Sequence, residues 1–193
     1  LRDSYGILLL KSLTVKRIKK RRQQHIRKVD TMFIEFIATT LEDAILIEQS
    51  GADRIELVSA LTEGGLTPSH SLIEAAVNRV SIPVNVMVRP HSQSFCYSDD
   101  DFLIMKNDIK IIRSIGANGV VLGVLNEKGE VNQHMLEELL KECNGMEVTF
   151  HRAIDYTINP VQAAETLAQY KEITTILTSG GNGELSSRMQ TIQ

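Results

Sequence analysis

The sequence predicts an α/β fold, a parallel β/α barrel of the TIM type, incomplete at about six of eight units. Three observations predict it. From Met32 onward, short runs rich in Val and Ile alternate with helix-like segments, the pattern of βαβ units in a parallel sheet. The passage from helix end through Gly-Ala into a strand occurs twice, as Gln49-Ser50-Gly51-Ala52-Asp53-Arg54-Ile55-Glu56-Leu57 and as Ser114-Ile115-Gly116-Ala117-Asn118-Gly119-Val120-Val121-Leu122. Strand after strand carries ionisable residues, which implies one shared polar centre, and barrels keep function at the C-terminal ends of their strands. No G-x-G-x-x-G follows the first strand, which argues against a dinucleotide-binding open sheet.

The elements follow in order. Phe33–Ala38 reads as the first strand. Leu41–Ser50 is a helix, with Leu41, Ala44, Ile45 and Glu48 at helical spacing and Gly51 as its cap. Asp53–Ser59 is the second strand. Thr67-Pro68 has the form of an N-cap followed by proline at the first helical position, opening a helix to about Val80. Pro83–Pro90 is the third strand, and Ser98 with Asp101 forms a capping box for a helix to Ile115. Asn118–Val124 is a strand, Asn132–Cys143 a helix, and Met146–Arg152 the fifth strand. Asn159-Pro160 opens a further helix, and Ile173–Ser179 is the sixth strand. Residues 182–193 read as a short polar tail, so the chain is expected to stop two units short of a closed barrel.

The composition, 42% hydrophobic and 23% charged, is ordinary for a globular chain of 193 residues. No apolar run approaches the ~18 residues of a membrane span, so no membrane partner is expected. The net charge of −3 hides an asymmetry: residues 1–31 carry ten Lys and Arg against Asp3 and Asp30. That head reads as a solvated, disordered extension; a nuclear-localisation patch at Lys16–Arg22 and a transit peptide are its rival readings. The acidic body from residue 32 onward argues against nucleic acid as its partner. Cys96 and Cys143 form no ligand motif and suit a reducing compartment.

Side chains alternate between the two faces of a strand. Ile55 and Leu57 should pack on helices, which turns Arg54 and Glu56 into the barrel. The same parity puts Glu35 with Ile37, Arg89 with Asn85 and Met87, and His151 with Thr149. The interior is therefore expected to gather His151, Glu35 and Glu56 as candidate catalytic groups. Arg54, Arg89, Arg152 and Asp155 are candidates for substrate or anion binding. An acid/base residue, carboxylates and guanidinium forks in one cavity suit a small anionic substrate. The competing reading is a self-satisfied layer of buried ion pairs. Asp155 orients His151 or caps the following helix.

Six segments then acquire a specific likeness. Asp53-Arg54-Ile55-Glu56-Leu57, Glu63-Gly64-Gly65-Leu66-Thr67-Pro68-Ser69, Val88-Arg89-Pro90, Tyr97-Ser98-Asp99, Val148-Thr149-Phe150-His151-Arg152-Ala153 and Leu177-Thr178-Ser179-Gly180 resemble the CutC copper-homeostasis family, in order and at suitable spacing from Met32 to about Gly181. The resemblance implies a TIM-type barrel over residues 32–181, a cytoplasmic setting, a homo-oligomer, and a role in copper homeostasis or copper binding. The basic head leaves a nuclear destination open. Some family members carry cysteines where this chain has Ile37 and Val58. Cu(I) prefers thiolate and thioether ligands, so the ligands for copper are unassigned. Cys96, with His91 nearby in sequence, is the substitute on offer. Cys143 and the scattered methionines read as packing. The Gly-rich segment that the family carries after its seventh strand has no counterpart here.

Three readings of function follow from the sequence. The first is a CutC-type cytosolic protein of copper homeostasis, with Cu(I) or a small anionic ligand as its partner. The second is a barrel enzyme acting on a small anion with His151 as acid/base. The third is a truncated isoform or gene-model fragment without activity of its own.

Overall fold

The computed structural model describes residues 33–192. The basic head read from residues 1–31 lies outside them.

Among the described residues, six four-residue strands alternate with six helices. Strand β1 (Glu35–Ala38) leads to α1 (Leu41–Gln49), β2 (Arg54–Leu57) to α2 (His70–Arg79), and β3 (Val84–Met87) to α3 (Asp99–Ile115). Strand β4 (Gly119–Leu122) leads to α4 (Gln133–Glu142), β5 (Glu147–Phe150) to α5 (Pro160–Leu167), and β6 (Ile173–Ile176) to α6 (Leu185–Ile192). Every strand pairs in parallel with its neighbour in sequence, in the order β1 to β6. This sequential order is that of a barrel, since a doubly wound sheet reverses direction partway. Among the described residues β1 and β6 remain edges, so the sheet curls without closing.

Local chemistry sets the helix starts. Thr40 with Asp43, and Ser98 with Asp101, form reciprocal capping boxes. Asn159 caps α5 with Pro160 behind it, and Gly116 ends α3 in the left-handed conformation. One start differs from expectation. Helix α2 begins at His70 with Ser69 as its cap, two residues later than the Thr67-Pro68 signal. The Thr67 hydroxyl accepts from the Arg89 backbone N–H at 2.9 Å, and the Thr67 N–H donates to the Arg89 carbonyl at 3.0 Å. Thr67 thus joins the loop after β2 to the end of β3, and Ser69 is left to cap. The stretch read as a polar tail carries α6, whose Arg188 Nε donates to the Ser179 carbonyl at 2.9 Å.

The outer face of the sheet builds the main core. Ile55, Leu57, Val84, Val86, Val120, Leu122, Val148 and Phe150 pack against Ala44, Ile73, Met105, Ile109, Leu136, Leu139 and Leu167 from the helices. The inner face has a small apolar cluster of its own, Val58, Met87 and Val121 with Ile37 against them. Polar residues occupy the inner positions on either side of it.

Candidate functional site

At the N-terminal ends of the strands, Arg54 is held from two sides. Its Nε and Nη2 donate to the two Glu35 oxygens at 2.7 and 3.0 Å, and its Nη1 donates to Glu147 Oε2 at 3.0 Å. Burial opposes its charge, but the Glu35 and Glu147 carboxylates outweigh burial and raise its pKa. Asn118 Nδ2 extends the layer, donating to Asn85 Oδ1 at 2.8 Å and to Glu147 Oε2 at 3.3 Å. Glu35 and Arg54 are therefore inner-face residues, as parity implies, but they satisfy each other at the N-terminal end of the strands, away from the mouth.

Glu56 lies one step up β2, level with Ile37 and Asn85. Burial, with the Glu35 charge adding to it against Arg54, pushes its carboxyl up to about 8. It is a neutral acid at physiological pH. Nearby, Asn85 Nδ2 has no hydrogen-bond partner among the described residues.

The C-terminal ends of β3 to β5 form a second polar group. His151 is 4% exposed and Arg89 7%. His151 Nδ1 accepts the Ala153 backbone N–H at 3.2 Å, which puts the ring proton on Nε2. That Nε2 has no partner among the described residues, and neither has Arg89 Nε or Thr149 Oγ1. The other Arg89 nitrogens donate only to carbonyls: Nη1 to Glu63 and Gly65 at 3.0 and 3.2 Å, Nη2 to Ser92 at 3.4 Å. No carboxylate among the described residues pairs with this guanidinium. Burial, reinforced by the Arg89 charge, lowers the His151 pKa to about 3. Phe95, from the loop after β3, packs on both groups, its ring centre 4.7 Å from the Arg89 guanidinium carbon and 5.1 Å from the imidazole centre.

Asp155 and Arg152 form a separate clamp. Burial opposes the charge of Asp155, but hydrogen bonds from Thr178, Ser179 and the Gly181 N–H outweigh it and lower the pKa. Thr178 Oγ1 donates to it at 2.6 Å, Ser179 Oγ at 2.7 Å and Gly181 N at 2.9 Å. Arg152 Nε donates to the same carboxylate at 3.0 Å, and Arg152 Nη2 to Ser179 Oγ at 3.1 Å. Asp155 therefore ties the loop after β6 to the loop after β5. It neither orients His151 nor caps α5, whose cap is Asn159.

Sequence reasoning missed Phe95, Glu147 and Gly123. A Cβ at Gly123 would stand 2.5 Å from His151 Nδ1. The signal was available: Gly119, Val121 and Gly123 share the inner parity of β4, and glycine in a strand marks close approach.

The donor set was compared with copper. Among the described residues no group of three or more His, Cys, Asp or Glu converges to hold a metal ion. The exposed Cys96 thiol donates to the Asn126 carbonyl at 3.2 Å. Cys143 is buried, its thiol pushed up to about 12 by burial. His91 Nε2 lies 3.4 Å from Asp101 Oδ2. These residues do not fit the thiolate-rich environment that Cu(I) prefers.

Two expectations follow. Gly123→Ala crowds the imidazole and should destabilise the fold by ~1–3 kcal/mol, the cost of overpacking a filled site. Chemical denaturation checks this, and a variant as stable as the parent would contradict it. The second concerns Glu56. Its folded-state pKa lies above the unfolded value, so its contribution to stability is complete below pH 4.5 and is lost as pH rises toward about 8. Glu56→Gln should therefore gain stability relative to the parent across that window, in urea titrations at several pH values. Parallel pH profiles would contradict it.

With this geometry in hand, the chain was compared with known proteins. The sequence profile of the CutC family matches residues 32–193. The family protein CutC of Proteus mirabilis is 43% identical over 154 residues, covering 79% of this chain and 61% of the relative. That of Erwinia tasmaniensis is 44% identical over 162 residues, covering 83% and 63%. This chain thus spans about three fifths of the length of the curated relatives it matches. Among solved structures, a Streptococcus agalactiae protein provisionally described as the copper homeostasis protein CutC superimposes with a TM-score of 0.76 at 28% identity, covering 84% of this chain and 80% of that one. Profile, relatives and fold agree, and the chain belongs to the CutC family.

Proposed function

We propose that this chain serves copper homeostasis as a CutC-type protein of the cytoplasm, and that its barrel mouth holds a small anionic ligand. One observation carries the second part: the buried Arg89 guanidinium has no carboxylate partner among the described residues, beside a neutral His151 whose Nε2–H is also unpartnered. A buried cation without a counterion is costly, and an incoming anion relieves that cost. Arg89 is the anion holder in this reading. His151 is the hydrogen-bond donor through Nε2–H, its Nδ1 being occupied by the Ala153 N–H. Arg152 borders the mouth. Glu35, Arg54 and Asp155 act as positioning residues, each saturated by its neighbours.

The copper role rests on family membership and on the description given to the Streptococcus relative. The unpaired cysteines suit a reducing compartment. The open edges at β1 and β6 suit association with further strands, including those of a second copy.

At fixed ionic strength, saturating acetate or phosphate should raise the unfolding midpoint of the full chain by roughly 2–4 °C through binding to the folded state. The rise should disappear in Arg89→Gln. An equal rise in both proteins, or none in either, contradicts the anion-holding mouth. Copper is tested separately. Titration of the reduced chain with Cu(I) against a competing chelator should give weak binding that Cys96→Ser weakens further. Tight binding unaffected by Cys96→Ser would contradict this donor assignment.

A further inference from the structure

We infer that the outer face of α3 docks on α3 of a second copy of this chain, the two helices lying antiparallel about a two-fold axis at Asn107. The surface lies outside the barrel and does not depend on what the mouth holds.

Helix α3 differs from its neighbours. It has 17 residues, whereas the other α-helices have eight to ten. Its inner side, with Met105, Ile109 and Ile112, belongs to the main core. The opposite side of such a helix is ordinarily polar. Here Leu103 is 57% exposed, Ile104 48% and Ile111 38%. At 3.6 residues per turn, these three share one arc of about 100° with Asp100, Asn107 and Ser114, all exposed. A single exposed leucine is ordinary, whereas an apolar stripe rimmed by polar residues marks an interaction surface.

The order of residues along the stripe selects the occupant. Counted outward from Asn107, Leu103 mirrors Ile111 and Asp100 mirrors Ser114, with Arg113 beside it. A two-fold interface needs this self-complementarity, because each copy presents the same patch. Antiparallel packing about Asn107 sets each Leu103 on Ile111 of the second copy. The Asn107 amides meet at the axis, where each can donate and accept. One polar residue within an apolar seam fixes the register of a helix pair.

Charge agrees with this arrangement. Lys106 and Lys110 turn toward α4, where Glu138 and Glu142 receive them. Arg113 meets no carboxylate among the described residues; its Nη1 donates to the Glu142 carbonyl at 2.6 Å. Asp100, at the other end of the stripe, has no basic partner among them either. The antiparallel pair brings each Asp100 to Arg113 of the second copy, whereas a parallel pair would set acid on acid and base on base. One helix pair is a small contact, so the dimer is transient, with Kd on the order of micromolar.

The test is sedimentation equilibrium of the full, reduced chain from about 1 to about 200 μM, a range that brackets such an affinity. A monomer–dimer equilibrium is expected. Leu103→Glu and Ile111→Glu, both at exposed positions, should each weaken it about tenfold or more. Arg113→Glu should weaken it as well, and adding Asp100→Arg to Arg113→Glu should restore it, since the exchanged charges meet across the axis. Asn107→Cys in a Cys96→Ser background should form a disulfide dimer on mild oxidation, because the two-fold sets position 107 against itself. A chain that stays monomeric over the whole range would overturn the proposal. So would a dimer that Leu103→Glu leaves intact, which would assign association to the open strand edges or another face. A dimer that Leu103→Glu weakens, but that neither the double charge exchange restores nor oxidation links through position 107, would overturn the antiparallel two-fold.

Discussion

The Arg54 side chain crosses the barrel interior from β2, gripping Glu35 on β1 with two nitrogens and reaching Glu147 on β5 with the third. A guanidinium links β1 and β5 in this way only if the sheet between them curls. The pair with Glu35 is part-buried and doubly hydrogen-bonded, so removing one partner leaves the other charge poorly solvated. The bond to Glu147 contributes less, since that carboxylate side chain is 44% exposed. The triad thus fixes the curvature that brings the C-terminal ends of β3, β4 and β5 around a common centre.

The two ends of the interior differ in how their polar groups are satisfied. At the base, the one guanidinium of Arg54 is saturated by Glu35 and Glu147. At the mouth, Arg89 is held by backbone carbonyls beside the Tyr97 hydroxyl, and His151 uses one nitrogen on the backbone while the other has no partner among the described residues. Between them lie the apolar cluster and the neutral Glu56. In the proposed reading the unpartnered groups at the mouth await a ligand, whereas the base is held by its own ion pairs. The Asp155 clamp belongs to the structural side of this division: it fixes the loop after β6 beside the mouth and spends its carboxylate entirely on that.

Much of this was legible in the sequence, for identifiable reasons. Parity puts Glu35, Arg54, Glu56, Arg89 and His151 on the inner face, because Ile55 and Leu57 must face helices and the other strands follow the same alternation. The Ser98/Asp101 capping box and the Asn159-Pro160 start are local chemistry and are found where expected. What parity cannot give is height. Whether Glu35 lies beside His151 or at the opposite end of the strands depends on the register between strands, which hydrogen bonding between distant residues sets. Glu147 escaped notice for the same reason, although its place in β5 was right. Thr67 was misread as a cap because its tertiary bond to Arg89 competes with a local role that Ser69 fills equally well. Asp155 was misread because its partners, Thr178 to Gly181, lie a whole βα unit away.

The division between a satisfied base and an open mouth is tested most directly by the imidazole ¹⁵N spectrum of His151 in the full chain, assigned with His151→Gln and followed from about pH 4 to pH 8. The account predicts a neutral ring, protonated on Nε2, throughout that range, because burial and the Arg89 charge together hold its pKa near 3. Conversion to imidazolium near the ordinary histidine value of 6.5 would show that the ring is solvated or paired with an acid, and would contradict the account.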